Sequence, residues 1–360
     1  MADFYTLTIS RTRAEANQTL WVEFDVPAEL AEQFAFQPGQ YLTFAVDVDG
    51  LEVRRSYSIC SIPGEPLAVA IKLIDGGAFS AYAHQHFAPG MQIKVQPPAG
   101  EFRIDCDQLA GDKILCIAAG SGITPVISIV RAVLQADPLT RVTLIYGNRR
   151  AADIIFREQL LWLKNRYLER FQWINIFSRE QQRAAVLNGR IDNRKGAELN
   201  RCLIDIQSYD AFYLCGPEGM ISEVTRGLRG VGIEPGQIHY ELFFASAEDA
   251  ALARARHQAR ALEYADLSTQ VRVRSGGREV SFELTADGEN ILDGALSVGL
   301  DLPFSCKGGV CATCKARVVE GEVDMDLNHA LSPAELAAGF VLTCQSHPIT
   351  DEVVVDFDVI

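Results

Sequence analysis

Apolar and polar residues alternate along the first quarter of the chain, most plainly in "LWVEFDV", "YLTFAVDV" and "LAVAIKLI". A period of two marks strands with one face on a core and the other towards water. Pro-Gly pairs at Pro38, Pro63 and Pro89 interrupt these runs between Tyr5 and Val95, which predicts an antiparallel β-barrel. Between Lys113 and Ala245 the texture changes. Short apolar runs, "KILCIAAG", "VTLIYGN", "FQWINIFS" and "AFYLCGP", alternate with longer helical patterns. That alternation predicts parallel strands with helices on both faces. A third texture follows in "ASAEDAALARARHQARALEYADLS", Ala-rich and charged, which reads as a linker of partly helical character. Beyond it come a predicted hairpin, a capped helix beginning near Asn290, and a cysteine-rich loop. The expected class is therefore multidomain, α+β and α/β, divided at 1–106, 107–245, a linker over 246–268, and 269–360.

Composition supports this division without changing it. A chain of 360 residues exceeds one ordinary core, and 48% hydrophobic with 22% charged residues is the balance of a soluble globular protein. The longest weakly polar stretch, Ile114 to Val130, is interrupted by "AGSGITP" and reads as strand, glycine turn and helix, not as a membrane span. The amino terminus has no basic region followed by an apolar one, so no secretory signal is read and a cytoplasmic protein is expected. Net charge is −14, and residues 269–360 carry 6 Lys or Arg against 15 Asp or Glu. Such a balance argues against a nucleic-acid partner. It suits a domain steered towards a basic patch on a protein partner, the alternative being that the acids only keep a small domain soluble.

Three of the nine cysteines, Cys306, Cys311 and Cys314, fall within nine residues, and Cys344 follows after a further 29. Interleaved disulfides, structural zinc and an iron–sulfur cluster compete for them. The pattern C-x4-C-x2-C with a distant fourth cysteine is the plant-type [2Fe-2S] spacing. Gly308 and Gly309 give a loop that wraps a cluster the backbone freedom it needs. Structural zinc usually shows two short paired knuckles, whereas here one knuckle is crowded and the last ligand stands alone. A Rieske centre needs paired histidines, and His329 and His347 lack that pairing. An odd cysteine count speaks against a disulfide scaffold, and Cys60, Cys106, Cys116 and Cys202 read as small buried hydrophobes.

The order of barrel, nucleotide domain and [2Fe-2S] domain, with "FSCKGGVCATCK" and "ELAAGFVLTCQ", resembles the ferredoxin-NADP reductase superfamily in its fused, oxygenase-reductase form. Within it the chain is similar to reductase subunits of ring-1,2-phenylacetyl-CoA epoxidases. The resemblance spans essentially the whole chain and implies an FAD-binding β-barrel, a Rossmann-like nucleotide domain and a β-grasp ferredoxin domain. "RRSYSIC" fits the superfamily's R-x-Y-S motif as Arg55, Tyr57 and Ser58. Arg55 is then expected to neutralise the FAD pyrophosphate, Tyr57 to stack on the isoalloxazine, and the Ser58 hydroxyl to reach flavin N5. "IKLIDGGAFSAYAH" carries Lys72 and the family's glycine turn, so Gly77, the amides around Ala78 and Phe79, and the Ser80 hydroxyl are expected at the pyrophosphate. Alone, Gly76 and Gly77 would read as an ordinary strand turn.

"CIAAGSGITPVISIV" follows an apolar strand and opens a helix, placing Gly120, Ser121, Gly122 and Thr124 where a dinucleotide phosphate would approach. It is not the G-x-G-x-x-G fingerprint, and its weight comes from the likeness of "GSGITP" to the nucleotide loop of these reductases. The companion loop "YLCGPEGM" supplies Cys215, Gly216 and Pro217, and the family implies Cys215 beside the nicotinamide. Ser178 and Arg179 in "IFSREQQ" look like the serine–arginine pair of NADP-specific plant reductases, and Arg149 adds charge. NADPH is expected over NADH, the alternative being that Arg179 is a solvated strand-end charge.

Pyridine nucleotides deliver two electrons together and a [2Fe-2S] cluster takes one, so a flavin must stand between them. The expected reaction is hydride transfer from NADPH to FAD with Ser58 and Cys215 positioning the reacting atoms, then single-electron steps to the cluster. Glu241 or Phe243, in "HYELFFAS", is expected near the flavin. The resemblance implies a diiron oxygenase acting on phenylacetyl-CoA as electron acceptor. Another aromatic-ring or steroid hydroxylase is the alternative within the class. A redox sensor or a zinc-stabilised binding module is the alternative outside it.

Overall fold

The computed structural model describes residues 4–243, 247–264 and 267–359. One compact unit spans Phe4–Glu241 and a second begins at Leu242. In the first, strands β1 (Tyr5–Glu15), β2 (Thr19–Asp25), β3 (Tyr41–Val48), β4 (Leu51–Ser58), β5 (Leu67–Lys72) and β6 (Gln92–Val95) form an antiparallel sheet in the order β4-β3-β6-β1-β2-β5. An antiparallel bridge between Ile59 and Val69, with the Cys60 amide donating to Ala68 O at 2.9 Å, joins the two edges and closes the sheet into a barrel. The alternating apolar positions fill it: Leu7, Ile9, Val22, Phe24, Leu42, Phe44 and Ile71 are buried together. Helix α1 (Ala78–His86) packs on β3, β4 and β5, with Phe79 and Ala83 in the core.

The same unit holds five parallel strands, β7 (Lys113–Ala119), β8 (Arg141–Asn148), β9 (Phe171–Phe177), β10 (Ala211–Cys215) and β11 (Ile238–Glu241), in the order β11-β10-β7-β8-β9. The chain winds outward from β7 to β9 and returns to β10 beside β7, so the strand order reverses between β7 and β10. In open parallel sheets that reversal is where ligands bind, at the carboxyl ends of the strands. The helices are α2 (Ile123–Ala136), α3 (Arg157–Arg166), α4 (Asn193–Cys202) and α5 (Glu218–Gly230). α2 is apolar almost all round because it is buried on two sides. It packs on β7, β8 and β10, and it meets the barrel where Ser128 Oγ donates to Ser61 O at 2.6 Å. That accounts for the long weakly polar stretch, and among the described residues no helix is long and apolar enough to cross a membrane. Cys60 and Cys116 are buried as expected. Cys106 is only half-buried, and Cys202, at the end of α4, is exposed, because neither has an apolar layer over it.

The second unit comprises α6 (Ala247–Glu263), β12 (Ser268–Ser275), β13 (Arg278–Thr285), α7 (Ile291–Ser297), β14 (Lys315–Glu320), β15 (Val323–Met325), α8 (Pro333–Ala337), β16 (Phe340–Leu342), β17 (Ser346–Pro348) and β18 (Glu352–Asp356). Its main sheet runs β13-β12-β18-β14-β16, with only β12 and β18 parallel, and β15 pairs β17. This is the β-grasp ferredoxin arrangement. Asn290 caps α7 by accepting the Asp293 amide at 2.9 Å, where the capped helix was expected. The segment read as a linker is largely α6. Residues 245, 246, 265 and 266 of that region lie outside the described residues.

Candidate functional site

Two arginines compete at the start of the R-x-Y-S segment, and the fold separates their roles. Arg54 is buried, paired with Glu52 at 2.7 Å and lying over Phe4. Arg55 is the exposed member, its Nη1 donating to Arg54 O at 2.7 Å. The Tyr57 ring rests on Phe79 at 5.4 Å between centroids and on Phe44 at 6.2 Å, so its plane is fixed by the barrel core. Burial pushes its phenol up while the Arg55 charge opposes that shift. α1 opens at Gly77 without a side-chain cap and without an acidic residue in its first turn. Its first intrahelical bond is Ala81 N–H to Gly77 O at 3.0 Å, so the amides of Ala78, Phe79 and Ser80 are the orphan donors of this helix end. Those donors and Arg55 suit a pyrophosphate. The Ser80 hydroxyl donates to Gly77 O at 3.1 Å and accepts from the Ile74 amide at 3.2 Å, which shapes the turn. The Phe79 side chain is core, and only its amide faces the role expected of it.

Gly120, Ser121 and Gly122 form a single turn between β7 and α2, as the sequence predicts. Tyr146 donates to Gly120 O at 2.8 Å and Thr124 Oγ1 to Ser121 O at 3.0 Å, fixing the turn from inside. A Cβ on Gly122 would lie 2.1 Å from Cys215 O and 2.8 Å from Gly216 N, so glycine alone lets the two nucleotide loops touch at the strand-order reversal. α2 has no acidic residue in its first turn, whereas α5, entered through Pro217, carries Glu218 there. A phosphate is therefore better received at α2 than at α5.

Cys215 and Glu241 are direct partners on β10 and β11. Ser58, 3% exposed on the barrel, donates its hydroxyl to Glu241 Oε2 at 3.1 Å. Of the expected catalytic pair, Ser58 bonds the Glu241 carboxyl directly, and Cys215 sits opposite Glu241 on the neighbouring strand. Burial pushes the Glu241 carboxyl up to about 8, against the Ser58 hydrogen bond. Burial first, then the Glu241 charge, push the Cys215 thiol far up, so it stays a neutral, compact thiol and not a nucleophile.

At the ends of β8 and β9 the Ser178 amide donates to Asn148 O at 3.0 Å and the Arg179 amide to Arg149 O at 2.9 Å. The ladder continues past the strands and holds Arg149, Ser178 and Arg179 side by side, all exposed. Lys72 reaches the same neighbourhood from the barrel. Its ammonium is held below its ordinary value by burial and then by the Arg149 charge, with Asp153 opposing. Two guanidiniums and a hydroxyl side by side, with the Lys72 ammonium within the Arg149 field, suit a phosphate.

The four expected ligands sort into two pairs, Cys306 with Cys311 and Cys314 with Cys344. The Cys311 thiol, then the amides of Gly308, Val310 and Cys311, lower the Cys306 thiol, and Cys306 in turn raises Cys311. Cys344 is lowered by Cys314 first. Gly308 N–H donates to Cys306 Sγ at 3.3 Å and Thr313 Oγ1 to Cys311 Sγ at 3.2 Å. Among the described residues no three His, Cys, Asp or Glu side chains converge on one ion-sized point. Two pairs of sulfurs in a nest of amides suit a two-iron cluster. The loop uses left-handed backbone at Lys307, Gly309 and Ala312, and of the two expected glycines only Gly309 (φ 76°) needs it.

Comparison with known proteins finds three domain matches along the chain. Residues 6–104 match the oxidoreductase FAD-binding domain, 116–226 the oxidoreductase NAD-binding domain, and 273–348 the 2Fe-2S iron-sulfur cluster binding domain. A component of the 1,2-phenylacetyl-CoA epoxidase of Escherichia coli (strain K12) is 42% identical over 99% of this chain and 99% of its own. The chain belongs to the ferredoxin-NADP reductase superfamily of oxygenase reductases. A further relative, the ferredoxin reductase component of 3-ketosteroid-9-alpha-monooxygenase from Rhodococcus rhodochrous, is 32% identical over 98% of this chain and 96% of its own. The fold of phthalate dioxygenase reductase superposes with a TM-score of 0.60 at 24% identity over 98% of each chain. As an oxygenase reductase, the protein is an oxidoreductase that passes electrons from a pyridine nucleotide through FAD and a [2Fe-2S] cluster.

Sequence reasoning gave Glu241 no firm role. β11 is only four residues long, and nothing local in "IHYE" marks it as the partner of a serine on the barrel. The signal that was present is the acidic residue ending an apolar segment. Phe243 is half-buried.

Proposed function

We propose that the protein is an NADPH-dependent reductase delivering electrons to a diiron oxygenase, an epoxidase of phenylacetyl-CoA, in the cytoplasm. Domains at 1–106, 107–245 and 269–360 would hold FAD, NADPH and the cluster, with 246–268 between the last two. The observation that supports the reading is that the barrel's Ser58 bonds Glu241, the register partner of Cys215, on the strand next to the strand-order reversal. FAD, when bound, accepts two electrons with the hydride and releases them singly to the cluster. Gly77, Arg55 and the Ala78, Phe79 and Ser80 amides would hold its pyrophosphate, and Tyr57 its ring. Gly120, Ser121, Gly122, Thr124, Gly216 and Pro217 would shape the approach of the nucleotide. Neutral Cys215 excludes water and charge from the nicotinamide's place. Glu241 would accept the Ser58 hydroxyl and so fix its orientation beside the flavin's edge.

The preference for NADPH rests on Arg149, Ser178, Arg179 and Lys72 gathered beside one another. A charge-assisted hydrogen bond contributes about 1.5–3 kcal/mol, so Arg179→Ala should raise the KM for NADPH by roughly ten- to a hundredfold and leave that for NADH nearly unchanged. Equal effects on the two coenzymes would remove the 2′-phosphate from the account. The epoxidase partner is supported by the 42% identity over 99% of the chain. The likeness to the 3-ketosteroid monooxygenase component supports the second reading, a steroid hydroxylase. Turnover with each purified oxygenase separates the two.

A further inference from the structure

Arg260 lies in the segment the sequence reads as a linker, yet it is 2% exposed. Its Nε donates to Ala286 O at 2.9 Å, and its Nη1 donates to the carboxylates of Asp324 and Asp326, the latter at 2.8 Å. One turn earlier Arg256 donates to Met325 O. These contacts fasten α6 to β15 and the residue that follows it. From there the connections lead to both halves of the cysteine set. The Asp326 amide donates to Gln345 O at 2.8 Å, and His347 Nε2 lies 3.2 Å from Asp326 Oδ2. The Gln345 side chain donates to Lys307 O at 3.0 Å and to Cys344 O at 2.9 Å. On the other side the His329 amide donates to Gly309 O at 3.0 Å, and Leu327 O sits 3.1 Å from where a Gly309 Cβ would be. The stretch from Asp324 to His329 therefore braces the loop of Cys306 and Cys311 and the turn of Cys344 together. α6 grips its outer side.

We propose that α6 is part of the cluster's housing and that Arg260 is a positioning residue whose charge helps set the cluster's reduction potential. The inference rests on the reading of Cys306, Cys311, Cys314 and Cys344 as a [2Fe-2S] site. Reduction adds one negative charge to the site. A buried guanidinium favours that charge and a half-buried carboxylate opposes it, and each is screened less than a surface group would be. The groups facing Arg260 are the Ala286 carbonyl, Asp324 and Asp326, with His347 beyond Asp326. Its removal leaves two carboxylates without their cation.

The test uses the full-length holoprotein with Arg260→Gln, Arg260→Lys and Asp326→Asn. Iron and acid-labile sulfide are measured first, then the midpoint potential by redox titration followed by electron paramagnetic resonance, then amide hydrogen exchange across α6. Arg260→Gln should lower the equilibrium constant for cluster reduction at least about threefold, a negative shift of roughly 28 mV at 59 mV per tenfold. Asp326→Asn should shift the potential the other way. Arg260→Lys should stay near the parent in potential while α6 exchanges faster. A residue that merely held the fold would give loosened variants with potentials moving in one direction. Shifts of the same sign in Arg260→Gln and Asp326→Asn, or no shift in either with the cluster present, overturn the proposal. A parent protein without iron and sulfide overturns the cluster reading itself, and this inference with it.

Discussion

Replacing Gly122 with alanine forces a methyl group into the contact between the two nucleotide loops. The new Cβ would lie 2.1 Å from Cys215 O, 2.4 Å from its carbonyl carbon and 2.8 Å from Gly216 N. Non-bonded carbon atoms rest at about 3.5–4.0 Å, so β10's end and the glycine turn must part by roughly an ångström. All three obstacles are backbone and cannot rotate aside. Overpacking of a filled site costs about 1–3 kcal/mol. At 1.36 kcal/mol per tenfold, loss of that amount from the nucleotide complex raises KM by roughly five- to 150-fold. The barrel is not touched, so FAD should stay bound. The assay is steady-state reduction of ferricyanide with NADPH varied, alongside flavin absorbance and a thermal melt. Gly122→Ala should keep its flavin, melt several degrees lower and show the raised KM. A variant with parental KM and melting temperature would refute the claim that these loops meet at Gly122 to form the nucleotide's seat.

Two further outcomes follow from the same geometry. Cys311→Ser should remove the [2Fe-2S] signal from electron paramagnetic resonance yet keep NADPH-dependent ferricyanide reduction, which needs only flavin; a normal cluster signal would break the ligand assignment. Glu241, whose carboxyl is pushed up to about 8 by burial, binds its proton more tightly folded than unfolded, so it favours the fold at low pH and that contribution is lost as pH rises from the ordinary carboxylate range through 8. The melting temperature should therefore fall less from pH 5 to pH 9 in Glu241→Gln than in the parent, and parallel slopes would contradict the shift.

What the sequence shows and what it hides divide along physical lines. Local periodicity carries the barrel strands, the parallel strands and the α7 cap at Asn290, because each depends on residues within one element. Cys306, Cys311, Cys314 and Cys344 are legible because a cluster demands their spacing. Glu241 is legible only as a residue near the flavin, since its partner Ser58 is brought to it by the packing of barrel on parallel sheet. Arg260 looks like any charge of an Ala-rich solvated helix, and only the fold shows it buried between two aspartates. Ser80 resembles an anion ligand in sequence and closes its own turn in space.

Anaerobic rapid mixing with NADPH, comparing the holoprotein with protein stripped of FAD but retaining its cluster, tests the electron path most directly. In the holoprotein, flavin absorbance should fall first and cluster absorbance after it. In the stripped protein the cluster should stay oxidised until FAD is restored. Reduction of the cluster at an undiminished rate without flavin, or ahead of flavin bleaching, would contradict the account.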